Sequence, residues 1–240
     1  MNLEIYSKDP PENYEQFTAS KKRDRAFAVS ISALGILSIV AVVYPLFLWV
    51  FSTAPNLSAK IDNAPVPSGQ VLSQSTVAGQ DVQVIKDQDG FSYFVTNYKP
   101  QGERPKDFYV SIPKLKIEKA RVLVDSLKFD QNLALFPGSA LPGEIGNAFI
   151  TGHSVLPQFF NPKDYHTIFS NLSDLEIGDT VNVDFNGQVY SYVVQYKKIV
   201  DPKDISVLAP ISKNAKNLTL MTCVPPGTSI QRMVVVTGLI

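Results

Sequence analysis

The chain has 240 residues, 22 of them basic and 22 acidic, which allows one ordinary domain with appendages and leaves no formal net charge. This balance gives no reason to expect a nucleic-acid partner, which would favour a basic chain. The single cysteine, Cys223, excludes an internal disulfide and argues against a cysteine-based zinc site, so we expect no metal and no cofactor.

An uncharged apolar stretch covers residues 26–51. Because about 20 helical residues cross the hydrocarbon core of a bilayer, it predicts one transmembrane helix. Four basic residues stand at positions 21–25, whereas the first charge after the stretch is Lys60. This asymmetry predicts a cytoplasmic tail over residues 1–25 and an extracellular remainder. A cleaved secretory signal is the alternative, but its apolar core is usually only about 7–15 residues long.

Residues 52–80 are rich in Ser, Pro, Ala, Asn and Gly and are predicted to form a linker. Residues 81–107 form an extension in which two short β-rich runs, within Val82 to Val95, surround the turn-forming pair Asp89-Gly90. This pattern predicts a hairpin. It is either an ornament on the following domain or a flap over it.

From residue 108 onward, short strand-like runs follow one another closely. The clearest hairpin turn is Asn186-Gly187, inside an alternating run from Asp179 to Val200. Only the segment around residues 165–175 favours a helix or a helical turn. Many short strands in about 130 residues predict a mainly β domain, a closed or nearly closed antiparallel-rich barrel.

The last two strand-like runs flank a loop centred near Gly227-Thr228. If they pair as a hairpin about this centre, Cys223 and Arg232 lie opposite each other. A thiolate is a nucleophile, and a neighbouring guanidinium stabilises negative charge on sulfur or on an oxyanion. His153, at the end of a buried strand, is the candidate proton carrier, and His166 is the weaker choice. The alternative is a buried structural cysteine with an unrelated histidine.

The motifs "TGHS" at residues 151–154 and "TLMTC" at residues 219–223, followed by Arg232, resemble those of the sortases. Sortases are membrane-anchored cysteine transpeptidases, mainly of Gram-positive cell surfaces. The likeness extends over residues 108–240, including "IPKLKIEKARV" and "LFPGSALPGEIGNAFITGH". This combination of motifs is specific to that family.

The resemblance implies an eight-stranded sortase β-barrel with short helices as the catalytic domain, residues 108–240. It implies that Cys223 attacks a threonine carbonyl in an LPxTG-like sorting signal and that His153 acts as acid and base. Arg232 would orient the substrate and stabilise the oxyanion, and Thr222 would help to shape the substrate site. The acceptor would be an amine of a cell-wall precursor or a pilin lysine. The enzyme would lie in the cell membrane with its catalytic domain outside.

Finer points follow from the same comparison. The segment 201–216 corresponds to a specificity loop, where Val207 and Leu208 either grip the substrate or pack a helical turn against the barrel. Glu144, Asp164 and Asp204 are expected to be solvated loop charges rather than calcium ligands. No apolar segment follows Ile240, which favours a D- or E-like enzyme over a pilin polymerase.

Two other functions compete with the transpeptidase. One is a non-catalytic surface barrel that binds peptide or wall polymer, in which the cysteine, histidine and arginine would lie far apart. The other is a cysteine peptidase that uses water as its acceptor.

Overall fold

The computed structural model describes residues 14–48, 82–86, 92–100 and 102–240, so the predicted linker and the Asp89-Gly90 turn lie outside the described residues. In the N-terminal part that the structure describes, one helix is present, α1, Tyr14–Leu48. Its stretch Phe27–Pro45 is long and apolar enough to cross a membrane, and its apolar side chains are exposed. The helix begins before the predicted start at residue 26, because Glu, Gln, Ala, Lys and Arg extend a helix readily once it has formed.

In the second compact unit, Leu46–Ile240, the described residues form ten strands. They are β1 Val82–Lys86, β2 Ser92–Thr96, β3 Asp107–Ile112, β4 Ile117–Leu123, β5 Leu133–Leu135, β6 Gly146–Thr151, β7 Thr180–Phe185, β8 Gln188–Val200, β9 Lys216–Val224 and β10 Gln231–Leu239. β1 and β2 form an antiparallel pair. The other eight close into a barrel in the order β10-β8-β7-β3-β4-β5-β6-β9, which confirms the predicted fold class. Two neighbouring pairs, β4 with β5 and β6 with β9, are parallel.

The predicted hairpin of β7 and β8 is confirmed. Asn186 and Gly187 join the two strands with φ values of 51° and 74°. These left-handed conformations are those of a type I′ turn, which Asn-Gly pairs adopt readily. Residues 165–175 form turns that end in a 3₁₀ helix, Leu172–Asp174, so of the two predicted forms the helical turn is present. Three further 3₁₀ helices lie in the described residues, Pro113–Leu115, Pro157–Phe159 and Ile205–Leu208.

The barrel interior is filled by apolar side chains from each of the eight barrel strands and from the turns before β7. Its largest fully buried members include Phe108, Phe169 and Tyr192. On β9, Leu218, Leu220 and Val224 belong to this core. Since successive strand residues face opposite sides, Met221 and Cys223 lie on the outer surface of the wall.

A second apolar cluster covers part of the outer surface of the barrel, and we call it the outer cluster. Its buried members are Val82, Phe94, Phe136, Phe149, Val200, Val207, Leu208 and Val234. Phe149 alternates on β6 with interior residues, yet it has no exposed surface. Phe94 of β2 lies 6.3 Å from Phe149 and 6.4 Å from Phe136, measured between ring centroids. The β1–β2 hairpin therefore packs on the outer face of the barrel, where it shields apolar wall residues from water.

Candidate active site

Cys223 and Arg232 face each other across the β9–β10 ladder, so the predicted register is confirmed. Cys223 is partly buried, and only 5% of Arg232 is exposed. The guanidinium donates hydrogen bonds to the backbone carbonyls of Ser229 at 3.0 Å, Gln231 at 3.1 Å and Ser92 at 2.6 Å. The last of these carbonyls belongs to the β1–β2 hairpin. Three acceptors thus hold the cation beside the thiol-bearing strand.

His153 follows β6, which runs parallel to the cysteine strand with Thr151 beside Met221. Gly152, between Thr151 and His153, makes two hydrogen bonds to β9. Its amide donates to the Met221 carbonyl at 3.2 Å, and its carbonyl accepts from the Thr222 hydroxyl at 2.9 Å. Ser154, on the other side of the histidine, donates its hydroxyl to the Cys223 carbonyl at 2.7 Å.

Because of these hydrogen bonds, the chain after β6 stays parallel to β9 as far as Ser154. His153 is therefore level with Cys223, and Arg232 is level with it on the opposite side. All three predicted residues lie at the same end of the adjacent strands β6, β9 and β10.

The imidazole of His153 has neighbours that the sequence analysis did not predict. Its Nε2 lies 3.0 Å from Oδ1 of Asp130. The ring of Phe129 is tilted against it at a centroid distance of 4.3 Å, and the His166 ring stacks almost parallel to it at 5.8 Å. His166 in turn lies 3.2 Å, through Nδ1, from Oδ1 of Asp164. The two histidines of the chain therefore form one cluster.

The charge state of the thiol reflects its surroundings. Burial raises the pKa of the Cys223 thiol above its ordinary value, and the positive charge of Arg232 opposes this shift without cancelling it. In the arrangement seen here, the thiol is therefore mainly protonated at neutral pH. A change that wets the site or draws the guanidinium closer favours the thiolate.

Thr222 is buried, and it alternates with Cys223, so its side chain lies on the inner side of the wall. Its hydroxyl is engaged with the carbonyl of Gly152. In this structure it holds the segment that carries the histidine.

Val207 and Leu208 lie in the 3₁₀ helix Ile205–Leu208 and are 6% and 1% exposed. Of the two predicted arrangements, the structure has the one in which this turn packs on the barrel. The buried side chain of Asn147 secures it, since its amide donates to the carbonyls of Val207 at 3.0 Å and Leu208 at 3.2 Å. Neither side chain faces solvent in this arrangement.

The three acidic residues considered for calcium each accept a hydrogen bond from a backbone amide. Glu144 accepts from Leu141, Asp164 from His166, and Asp204 from Ser206. Among the residues that the structure describes, no group of three or more His, Cys, Asp or Glu side chains is placed to hold a metal ion.

A family model described as the sortase domain matches residues 110–240. Among solved structures, a Clostridium perfringens sortase D5 transpeptidase is 24% identical with a TM-score of 0.47, over 56% of this chain and 79% of that chain. A lid mutant of sortase A from Corynebacterium diphtheriae is 30% identical with a TM-score of 0.48, over 58% and 73%.

A pilus-related sortase C of Group B Streptococcus is 26% identical with a TM-score of 0.48, over 56% of this chain and 67% of that chain. A search of curated proteins gave no match. The family model alone spans more than half of the chain. The chain therefore belongs to the sortase family and is a cysteine transpeptidase.

Proposed function

We propose that this sortase cleaves an LPxTG-like sorting signal and transfers the acyl fragment to an amine at the cell surface. The observation that carries the proposal is the common end of β6, β9 and β10, where a thiol, an imidazole and a guanidinium lie level with one another. Each of these groups has a distinct part in an acyl transfer, and the three together suffice for it without a cofactor.

In the first half-reaction, the thiolate of Cys223 attacks the threonine carbonyl of the signal. A tetrahedral oxyanion forms, and the guanidinium of Arg232 stabilises it with N–H donors that the three backbone carbonyls leave available. When the threonine–glycine C–N bond breaks, the imidazolium of His153 donates its proton to the departing amine. The product is a thioester on Cys223 and a free amino terminus on the released fragment.

In the second half-reaction, an incoming primary amine attacks the thioester carbonyl. Neutral His153 accepts the proton that this amine loses, and the C–S bond breaks to return the thiolate. The new amide bond joins the sorting signal to the acceptor, which we propose is a cell-wall peptide or a pilin lysine. Water at the same position would give hydrolysis, the outcome of the peptidase alternative.

We propose that α1 anchors the enzyme in the cell membrane with its tail in the cytoplasm and the barrel outside. The length and apolar composition of Phe27–Pro45 support the anchor, and the basic residues at positions 21–25 support the orientation. A sorting signal on a secreted protein would then meet the barrel on the outer side of the membrane.

The test uses the full-length protein in detergent with an LPxTG-containing peptide. We expect intact-protein mass spectrometry to detect a thioester on Cys223 and, after an oligoglycine amine is added, an amide product. Cys223→Ala should abolish both species. Continued cleavage by that variant would refute the assignment of the nucleophile, and hydrolysis unaffected by the amine would favour the peptidase.

A further inference from the structure

Asp130 contacts the ring of His153 although the two lie in different segments. Its Oδ1 is 3.0 Å from Nε2 of the imidazole. An ionised carboxylate only accepts hydrogen bonds, so in this pair Nε2 is the donor and carries the proton. In the neutral imidazole, Nδ1 is then the nitrogen with a lone pair.

The loop that presents Asp130 is built by its own hydrogen bonds. It runs from the end of β4 to the start of β5. The buried Asn132 donates its side-chain amide to the carbonyls of Lys128 at 2.9 Å and Leu133 at 3.0 Å. The Ser126 hydroxyl accepts from the Lys128 amide at 3.1 Å. These hydrogen bonds lie on both sides of Asp130 in the sequence. They fix the loop to the barrel wall and thereby fix the position of Asp130.

The same loop also contacts the imidazole through Phe129, at 4.3 Å between ring centroids. On the segment after β6, His166 stacks on the imidazole, and Asp164 holds His166 through both its ring and its backbone amide. Two separate segments thus set the plane of the ring. Among the residues that the structure describes, only Asp130 makes a hydrogen bond that selects which nitrogen carries the proton.

We propose that Asp130 is a positioning residue: it holds Nε2–H of His153, so that Nδ1 is the nitrogen that gives and takes the proton during acyl transfer. This inference rests on the proposed role of His153. Among the described residues, the Asp130 carboxylate bonds only to the imidazole, and it acts through that ring. Among the described residues, the titratable groups in contact with the imidazole are Asp130 and His166, and Asp164 contacts His166 from the other side.

The contact between Asp130 and His153 contributes little to the free energy of unfolding, because most of the Asp130 side chain is exposed. A purely structural contact and a positioning contact therefore predict different results. Asp130→Ala in the full-length protein should leave thermal unfolding close to that of the unchanged protein. It should lower kcat for peptide transfer by about tenfold or more, since general acid–base catalysis depends on the correct tautomer. KM should change by less than about twofold, because Asp130 takes no part in binding the peptide in its ground state.

Asp130→Glu retains the carboxylate and should recover part of the lost kcat. Glu118→Ala, which removes an exposed carboxylate on β4, is the matched control and should turn over normally. Long-range 1H–15N NMR reports the tautomer directly, and the spectrum of His153→Gln identifies the signals. We expect Nε2–H in the unchanged protein and a mixture of tautomers in Asp130→Ala.

If Asp130→Ala has the same turnover and the same His153 tautomer as Glu118→Ala, the positioning role is wrong. That outcome is distinguishable from failure of the proposed function. If His153→Ala retains transferase activity, the role of the histidine itself is wrong. If His153→Ala is inactive while Asp130→Ala is fully active, only the positioning role is wrong.

Discussion

Cys223 is subject to two opposing electrostatic effects. Burial disfavours its thiolate and raises the pKa of the thiol, whereas Arg232 across the ladder favours the thiolate. Only the thiolate reacts with iodoacetamide. We therefore expect the alkylation rate to rise with pH through a midpoint above that of a free thiol, about 8.5. In Arg232→Gln the favourable charge is lost, so the midpoint should move higher and the rate at pH 8 should fall.

Arg232→Lys is the matched control, because it keeps a positive charge opposite Cys223. Its midpoint should remain closer to that of the unchanged protein. Circular dichroism checks that each variant keeps its strands, since three backbone carbonyls lose donors when the guanidinium is removed. A midpoint in Arg232→Gln equal to or below that of the unchanged protein would contradict the electrostatic account.

Gly152 occupies a position that has no room for a side chain. A Cβ there would lie 2.6 Å from Cδ2 of Leu133 and 2.7 Å from Cδ2 of Phe169, both of which are fully buried. Gly152→Ala must therefore displace the core or the chain that carries His153. We expect a loss of about 1–3 kcal/mol in the free energy of unfolding, measured with denaturant, and a lower kcat.

Gly102→Ala provides the comparison, since nothing lies within 4 Å of a Cβ at that position. It should unfold and turn over like the unchanged protein. Normal stability and normal turnover in Gly152→Ala would show that the segment before His153 adapts freely, contrary to the packing described here.

Individual residues differed in how far the sequence could predict their positions. Cys223 and His153 were identifiable because the chain has one cysteine and two histidines, and hairpin symmetry predicted the partner of Cys223. Asp130 was not identifiable, because acidic residues are common and its contact with His153 joins loops 23 residues apart. Asn147 was missed for a similar reason, since its partners at 207 and 208 are brought near only when the barrel closes.

At the scale of elements, the β1–β2 hairpin was predicted as an ornament or a flap. In the structure it covers part of the outer cluster. Phe94 packs between Phe136 and Phe149, while the Ser92 carbonyl accepts from Arg232. A peptide that approaches this face must displace the hairpin. We expect Phe94→Ala to weaken hairpin docking, since deletion of a buried phenylalanine side chain costs about 3–5 kcal/mol. Peptide cleavage at low substrate concentration should then be faster.

Tyr93→Ala is the control on the same strand, because neighbouring strand residues face opposite sides and Tyr93 is exposed. Its cleavage rate should equal that of the unchanged protein. A slower rate in Phe94→Ala would indicate the opposite role, in which the hairpin supports catalysis by holding Arg232 through Ser92.

Element boundaries and turn types were predictable where local chemistry determines them, as at Asn186-Gly187. The packing of Val207 and Leu208 was not, because an apolar side chain in a loop suits a substrate groove and a barrel wall equally well. The buried amide of Asn147 decides between them by binding both carbonyls of that turn. A side chain sixty positions away in sequence thus determines what two loop residues contact.

At the scale of the whole molecule, formal charge is balanced, but its distribution along the chain is not. Basic residues crowd positions 21–25 immediately before the apolar stretch of α1, whereas the first charge after that stretch is Lys60. Basic residues close to a membrane span are retained on the cytoplasmic side. We therefore expect residues 1–25 to stay inside and the barrel to lie outside.

Single-cysteine labelling in intact cells tests this orientation. In a Cys223→Ser background, Gly102→Cys should react with a membrane-impermeant maleimide, because its position is open. Asn2→Cys should react only after the cells are lysed. Replacement of the four basic residues at positions 21–25 by glutamine removes the charge asymmetry and should allow a fraction of the chains to insert the other way. Labelling of Asn2→Cys in intact cells that carry the native basic residues would contradict the orientation. It would mean that the barrel lies in the cytoplasm, on the opposite side of the membrane from secreted sorting signals.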